Sequence, residues 1–154
     1  MANKELPKYC ASGPVVLISC SSRKIKLKPG QTIEAKDLYC SPLFNKAWEY
    51  AKQLKPSRIF ILSAKYGLLE PTDKIAHYDK SLVKAGVAER KQWACAVIVS
   101  IKQKGINIDE TDFVILAGKV YYKYIIPHLS HKTLPYEGCN GIGEILRFLN
   151  SKIK

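Results

Sequence analysis

Three unbroken apolar runs, each closed by a small or polar residue, punctuate this chain, and between them apolar residues recur at helical spacing. Val15, Val16, Leu17 and Ile18 follow Gly13-Pro14 and end at Ser19-Cys20-Ser21-Ser22, the pattern of a strand buried on both faces. Arg58 to Leu62, ending at Ser63-Ala64-Lys65-Tyr66-Gly67, predicts a second strand, and Phe113 to Leu116, running into Ala117-Gly118-Lys119, a third. Ser41-Pro42 reads as an N-cap with proline at the first helical position, followed by Leu43, Ala47, Tyr50, Ala51 and Leu54 on one face, with Lys55-Pro56 as the stop. Ala94, Val97, Ile98 and Ile101 predict a helix over Gly86 to Gln103, which Gly105 ends. Val120, Tyr121, Tyr124 and Ile125 mark another helix face, ending near Pro127. Thr133-Leu134 predicts a short fourth strand, and Gly141-Ile142-Gly143-Glu144 opens a last helix carrying Ile145, Leu146 and Leu149.

Strands alternating with helices predict an α/β three-layer sandwich around a mainly parallel sheet of four strands or slightly more. We find no repeat or linker, so residues 1–154 read as a single domain with residues 1–12 as an N-terminal arm. Ligands of such sheets bind beyond the carboxyl ends of the strands. The polar segments that close the apolar runs are all at those ends, so they are expected to converge on one rim.

Charge changes the picture. The 154 residues carry 25 Lys and Arg against 13 Asp and Glu, a formal balance of +12. That field steers polyanions and predicts nucleic acid, DNA first, as the partner; solubilising surface charge is the competing explanation. Arg23, Lys24, Lys26 and Lys28 directly follow the first strand, where they are placed to hold a phosphate backbone. There is no run of about 18 apolar residues, and Met1 to Glu5 lacks the apolar stretch of a signal peptide, which predicts a cytoplasmic protein with no membrane partner. The five cysteines (Cys10, Cys20, Cys40, Cys95, Cys139) form no C-x-x-C pair, so neither a disulfide framework nor a metal site is predicted. Cys10, Cys95 and Cys139 read as packing residues, while Cys20 and Cys40 adjoin polar motifs. The sequence carries no signal for an oligomeric state.

Four segments carry candidate chemistry. Ser19, Cys20, Ser21, Ser22, Arg23 and Lys24 bring hydroxyls, a thiol and two cations to a strand end, a set suited to phosphate; a serine-rich turn with a packed cysteine fits the same residues. They are not a Walker loop, which needs glycines and a Gly-Lys-Ser/Thr ending. Ser41 and Ser63 add hydroxyls. Lys65, Tyr66 and Gly67 can bracket a base or a phosphate, although a glycine turn beside a lysine lying along the surface explains them nearly as well. Tyr78-Asp79, with Asp73 and His77 nearby, supplies a carboxylate able to stabilise a sugar cation or position a water, or simply to cap the next element. Gly118 and Gly143 open helices and can expose backbone N–H groups to an anion, but Gly141-Ile142-Gly143 is only part of a dinucleotide fingerprint, so no cofactor is predicted. Tyr121 can stack on a base, yet its spacing is that of a half-buried core residue.

Taken together, Ile18-Ser19-Cys20-Ser21, Leu38-Tyr39-Cys40-Ser41-Pro42-Leu43-Phe44, Leu62-Ser63-Ala64-Lys65-Tyr66-Gly67-Leu68-Leu69, Tyr78-Asp79, Trp93, Ala117-Gly118-Lys119-Val120-Tyr121 and Gly141-Ile142-Gly143 resemble an uncharacterised bacterial and phage domain family across nearly all of residues 15–150. That family is distantly similar to the YaaA peroxide-stress proteins and to the core domain of archaeosine synthase. The resemblance implies chemistry on nucleic acid or on modified bases. In archaeosine synthase a Pro-Cys-x-x-x-Lys segment is associated with the nitrile of a 7-deazaguanine; Cys20 and Lys24 match its Cys and Lys, while Ser19 stands in place of the proline. The architecture also resembles the uracil-DNA glycosylase superfamily, whose water-activating and His-Pro-Ser motifs this chain lacks.

The leading expectation is a DNA glycosylase-like hydrolase that cleaves the N-glycosidic bond of a modified base. In it a flipped base lies beside Tyr66, and Asp79, Cys20 and Lys65 are the candidate catalytic groups. Ser19, Ser21, Ser22, Lys24, Ser41, Ser63, Tyr66, Gly67, Tyr78, Gly118, Tyr121 and Gly143 are the candidate substrate contacts. The second expectation is base modification through a Cys20 thioimidate, with Lys24 favouring the thiolate. The third is a nucleic-acid or nucleotide-binding module without chemistry. Action on foreign modified DNA also predicts a role in phage defence.

Overall fold

The computed structural model describes residues 13–154, and the N-terminal arm lies outside them. Its strands are β1 (Val15–Ser19), β2 (Ile33–Glu34), β3 (Arg58–Ser63), β4 (Gly67–Leu69), β5 (Lys74–Ile75), β6 (Asp112–Leu116) and β7 (His131–Thr133). The helices are α1 (Ala35–Leu38), α2 (Pro42–Gln53), α3 (Val87–Gln103), α4 (Lys119–Tyr122) and α5 (Ile142–Lys152), with 3-10 turns at Leu82–Lys84 and Ile126–His128. Five strands form the central sheet in the order β4-β3-β1-β6-β7. All neighbours in it are parallel except β4, which folds back antiparallel on β3.

Strand β1 sits at the centre of this sheet because its residues are apolar on both faces. Val16 and Ile18 join the core under α1, α2 and α5, while Val15 and Leu17 join the core under α3 and α4. The result is the expected three-layer α/β sandwich, with one strand more than the sequence count of four. The added strand, β4, is three residues long and falls inside a stretch that reads as polar turn. The fourth predicted strand is present but shifted, covering His131–Thr133 instead of Thr133-Leu134.

Local chemistry explains the element ends that matter for the site. The Ser41 hydroxyl accepts the Phe44 N–H at 3.0 Å, and Pro42 occupies the first turn, so α2 starts where its cap dictates. Gly13 has φ +83° and a Cβ there would stand 2.2 Å from the Lys55 carbonyl oxygen, so glycine is required where the chain enters β1 beside the end of α2. The segment carrying Val120, Tyr121, Tyr124 and Ile125 is not one helix. It is the single turn α4 followed by the 3-10 turn, because Pro127 has no N–H to continue the ladder. Cys95, expected to pack, is exposed: one residue past core-facing Ala94, it rotates about 100° to the outer face of α3. No helix among the described residues is long and apolar enough to cross a membrane.

Candidate functional site

The carboxyl ends of β1 and β3 lie side by side, since Cys20 continues the ladder by donating its N–H to the Leu62 carbonyl at 2.9 Å. Just beyond, residues 23–25 pair with residues 38–40. Cys40 N–H donates to Arg23 at 3.0 Å and Ile25 N–H to Leu38 at 2.9 Å, with an antiparallel bridge between Lys24 and Tyr39. This short ribbon carries Lys24 and Tyr39 over the strand ends. A second small ribbon, β2 with β5, fixes the start of the segment that brings in Tyr78.

The side chains that meet there form one connected set. The Cys20 Sγ is 3.3 Å from the Tyr121 hydroxyl. The Tyr39 and Tyr78 hydroxyls are 2.7 Å apart, and Ser63 Oγ donates to the Tyr78 hydroxyl at 2.9 Å. Ser63, fully buried, also accepts the N–H groups of Lys65 (3.2 Å) and Tyr66 (3.0 Å), which shapes the turn after β3. Trp93 on α3 donates its indole N–H to the Ser63 carbonyl at 2.8 Å and packs edge-on against Tyr121, with ring centres 5.6 Å apart. Tyr66 packs edge-on against Tyr78 at 5.4 Å while remaining 37% exposed.

Electrostatics follow from burial. Desolvation pushes the Tyr39 hydroxyl up to about 12 and raises Tyr78 and Tyr121 further, the Cys20 charge adding to the rise in all three. At neutral pH these phenols are therefore protonated, and Tyr121 is the one in contact with the Cys20 sulfur. The Lys24 ammonium lies 4.5 Å from the Tyr78 ring centre and 5.9 Å from that of Tyr39. The Lys65 ammonium lies 5.2 Å from the ring centre of Tyr66, a further cation at the exposed edge.

Cys20, Lys24, Ser63, Lys65, Tyr66, Tyr78 and Tyr121 are thus brought together. Ser19, Cys20 and Ser21 border a small cavity of about 20 Å³, also lined by Phe44 and Tyr136, with room for one water and not for a base. Asp79 follows Tyr78 but is exposed, with no hydrogen bond or ion pair among the described residues. Ser22, Arg23, Lys26 and Lys28 are exposed on the loop that leads into the ribbon. Ser41 is occupied as the α2 cap, and Gly67 starts β4. Gly118 is exposed before the one-turn α4, where its carbonyl accepts the Tyr121 N–H at 3.0 Å, and Gly143 is exposed in the first turn of α5. Asp73 is structural, accepting the Glu70 N–H at 2.8 Å.

Tyr39 and Trp93, which in the sequence carry the family resemblance but no site role, are members of the cluster. A larger groove of about 350 Å³ lies at the opposite end of β3, between Trp48, Arg58, Glu70 and Pro71. Its charges are satisfied internally, with Glu70 bridging Arg58 at 3.0 Å and Lys104 at 2.8 Å, which lowers the carboxyl's pKa. The rim, with its open donors and unpaired cations, is the better candidate for chemistry.

Residues 15–151 match the model of a family of unknown function, DUF6884. No curated protein matches the chain.

Proposed function

We propose that this chain, which belongs to the DUF6884 family of unknown function, is a nucleic-acid base-processing enzyme whose reaction centre is the Cys20 thiol at the rim. The observation that carries this reading is the 3.3 Å contact of Cys20 with the Tyr121 hydroxyl, a phenol that burial keeps protonated. That hydroxyl is placed to donate to the sulfur, the nucleophile of the step. The exposed ring of Tyr66 offers a stacking surface for a base, and exposed Arg23, Lys26 and Lys28 offer cations to the backbone. A base within a duplex reaches such a thiol only after leaving the stack.

The chemistry that fits is addition of sulfur to an electrophilic carbon of a modified base, such as a nitrile on a 7-deazaguanine. A sulfur–carbon bond forms, one C–N π bond opens, and the thiol proton ends on nitrogen, giving a thioimidate. The likeness to the archaeosine synthase core, carried by Cys20 and Lys24, supports this substrate class, as does the more distant likeness to the YaaA proteins. Such an activity fits a cytoplasmic role in phage defence.

A second reading, hydrolysis of the N-glycosidic bond, is favoured by Asp79. Its carboxylate stands exposed next to Tyr78 with no partner among the described residues, so it is available to position a water or stabilise a sugar cation. The architectural likeness to the uracil-DNA glycosylases supports it.

Cys20→Ser and Asp79→Asn, assayed on DNA and RNA carrying natural and modified bases, separate the two. Loss of turnover in Cys20→Ser alone supports the thiol. Loss in Asp79→Asn alone, with release of free base, supports hydrolysis and removes the thiol reading. Salt-sensitive binding without product in wild type and both variants leaves a binding module.

A further inference from the structure

The contact between Cys20 and Tyr121 belongs to a closed circuit that begins and ends at the last two residues of β3. The Leu62 carbonyl accepts the Cys20 N–H at 2.9 Å, and the Ser63 carbonyl accepts the Trp93 indole N–H at 2.8 Å. An indole N–H only donates and a carbonyl only accepts, so the direction of that second bond is fixed. Trp93 then packs edge-on against Tyr121, with ring centres 5.6 Å apart and planes at 76°. The Tyr121 hydroxyl closes the circuit at 3.3 Å from the Cys20 sulfur.

The members of this circuit differ in how firmly their own elements hold them. Cys20 directly follows the central strand β1, and Trp93 stands inside the 17-residue α3, which Ala94, Val97, Ile98 and Ile101 anchor in the core. Tyr121 instead rides on the single turn α4, whose N-cap Gly118 makes no side-chain cap bond. One turn of helix does little to hold itself. The position of the phenol is therefore set by what packs on it.

From this geometry we infer that Trp93 is a positioning residue, whose indole, fixed by the Ser63 carbonyl, holds the Tyr121 hydroxyl on the Cys20 sulfur. The inference rests on the thiol reading above and adds α3 to the machinery of that site. Trp93 acts through Tyr121 and not on the sulfur, and the inference holds whichever of the two groups donates in the Cys20–Tyr121 contact.

The test is a double-mutant cycle on the full chain, read as the rate of iodoacetamide alkylation at each cysteine by peptide mass mapping. Trp93→Phe keeps a smaller ring and removes the indole N–H, while Tyr121→Phe keeps the ring and removes the hydroxyl. Trp93→Phe alone is expected to slow alkylation of Cys20 about 3-fold. With Tyr121→Phe already present it is expected to add no further slowing. Cys95, exposed on α3 two residues beyond Trp93, and part-buried Cys139 are controls in the same digest and are expected to keep their rates. A purely structural role gives the opposite sign, because a loosened fold exposes Cys20 and Cys139 together and speeds both. That result overturns the inference, as does slowing that multiplies in full with that of Tyr121→Phe, or no change at Cys20. Each of these leaves the thiol reading standing, whereas a wild-type Cys20 that iodoacetamide does not alkylate removes both.

Discussion

The thiol of Cys20 and the hydroxyl of Tyr121, 101 residues apart in the chain, stand 3.3 Å from each other at the end of β1. Burial holds Tyr121 protonated, so its hydroxyl has a proton to offer the sulfur. Replacing Tyr121 with Phe keeps the packing against Trp93 and deletes the donor. Alkylation of Cys20 at neutral pH is expected to slow by about 3- to 10-fold, the worth of one ordinary hydrogen bond. An unchanged rate, read by the same peptide mapping, would show that the contact does not tune the thiol.

Ser63 is the hub that a stability measurement reaches most directly. Ser63→Ala leaves the N–H groups of Lys65 and Tyr66 without their acceptor and Tyr78 without its donor. Because the site is buried, the expected loss is about 1 to 3 kcal/mol in urea unfolding. A loss near zero would mean that water replaces all three bonds.

Alkaline pH tests the tyrosine cluster. Burial pushes Tyr39 up to about 12, whereas an unfolded tyrosine titrates near ~10. Between these values the folded chain keeps a proton that the unfolded chain has lost, so the stability from Tyr39 is complete below about pH 10 and disappears as the pH rises through about 12. The amount at stake is on the order of 3 kcal/mol, and Tyr78 and Tyr121 act in the same direction. Urea unfolding at pH 9 and pH 11 is expected to show a steep fall in wild type and a shallower one in Tyr39→Phe. Identical falls would place the titration elsewhere.

The central strands were legible because unbroken apolar runs have one economical reading in an α/β chain, and the α2 start was legible because Ser41-Pro42 is a cap with a mechanism. Strands β2, β4 and β5 were not, being two or three residues long, too short for any period to register. The rim was legible at Cys20, Ser63 and Tyr66, which directly follow or end strands. Tyr39 and Trp93 stood among the motif residues without a role in the site, because their roles depend on partners 39 and 30 positions away that only the folded chain brings near. Asp79 stands out in sequence as a carboxylate beside an aromatic. Alternation of the chain turns Tyr78 inward and leaves Asp79 facing out.

Salt dependence tests the proposed nucleic-acid partner. Arg23, Lys26 and Lys28 are exposed and outside any ion pair among the described residues. If they hold phosphates, neutralising each is expected to weaken binding evenly across sequences and to reduce the slope of log affinity against log salt by about 1. A slope that stays unchanged when all three are replaced would move the backbone path to another face.

The central claim is that Cys20 forms a covalent bond to a base, and intact-protein mass measurement addresses it without assuming a product. Wild-type chain is incubated with oligonucleotides carrying natural bases and nitrile-bearing 7-deazaguanine. The account predicts a mass increase that maps to Cys20 and vanishes in Cys20→Ser. Base conversion or release that proceeds equally well in Cys20→Ser, with no adduct in wild type, would contradict it.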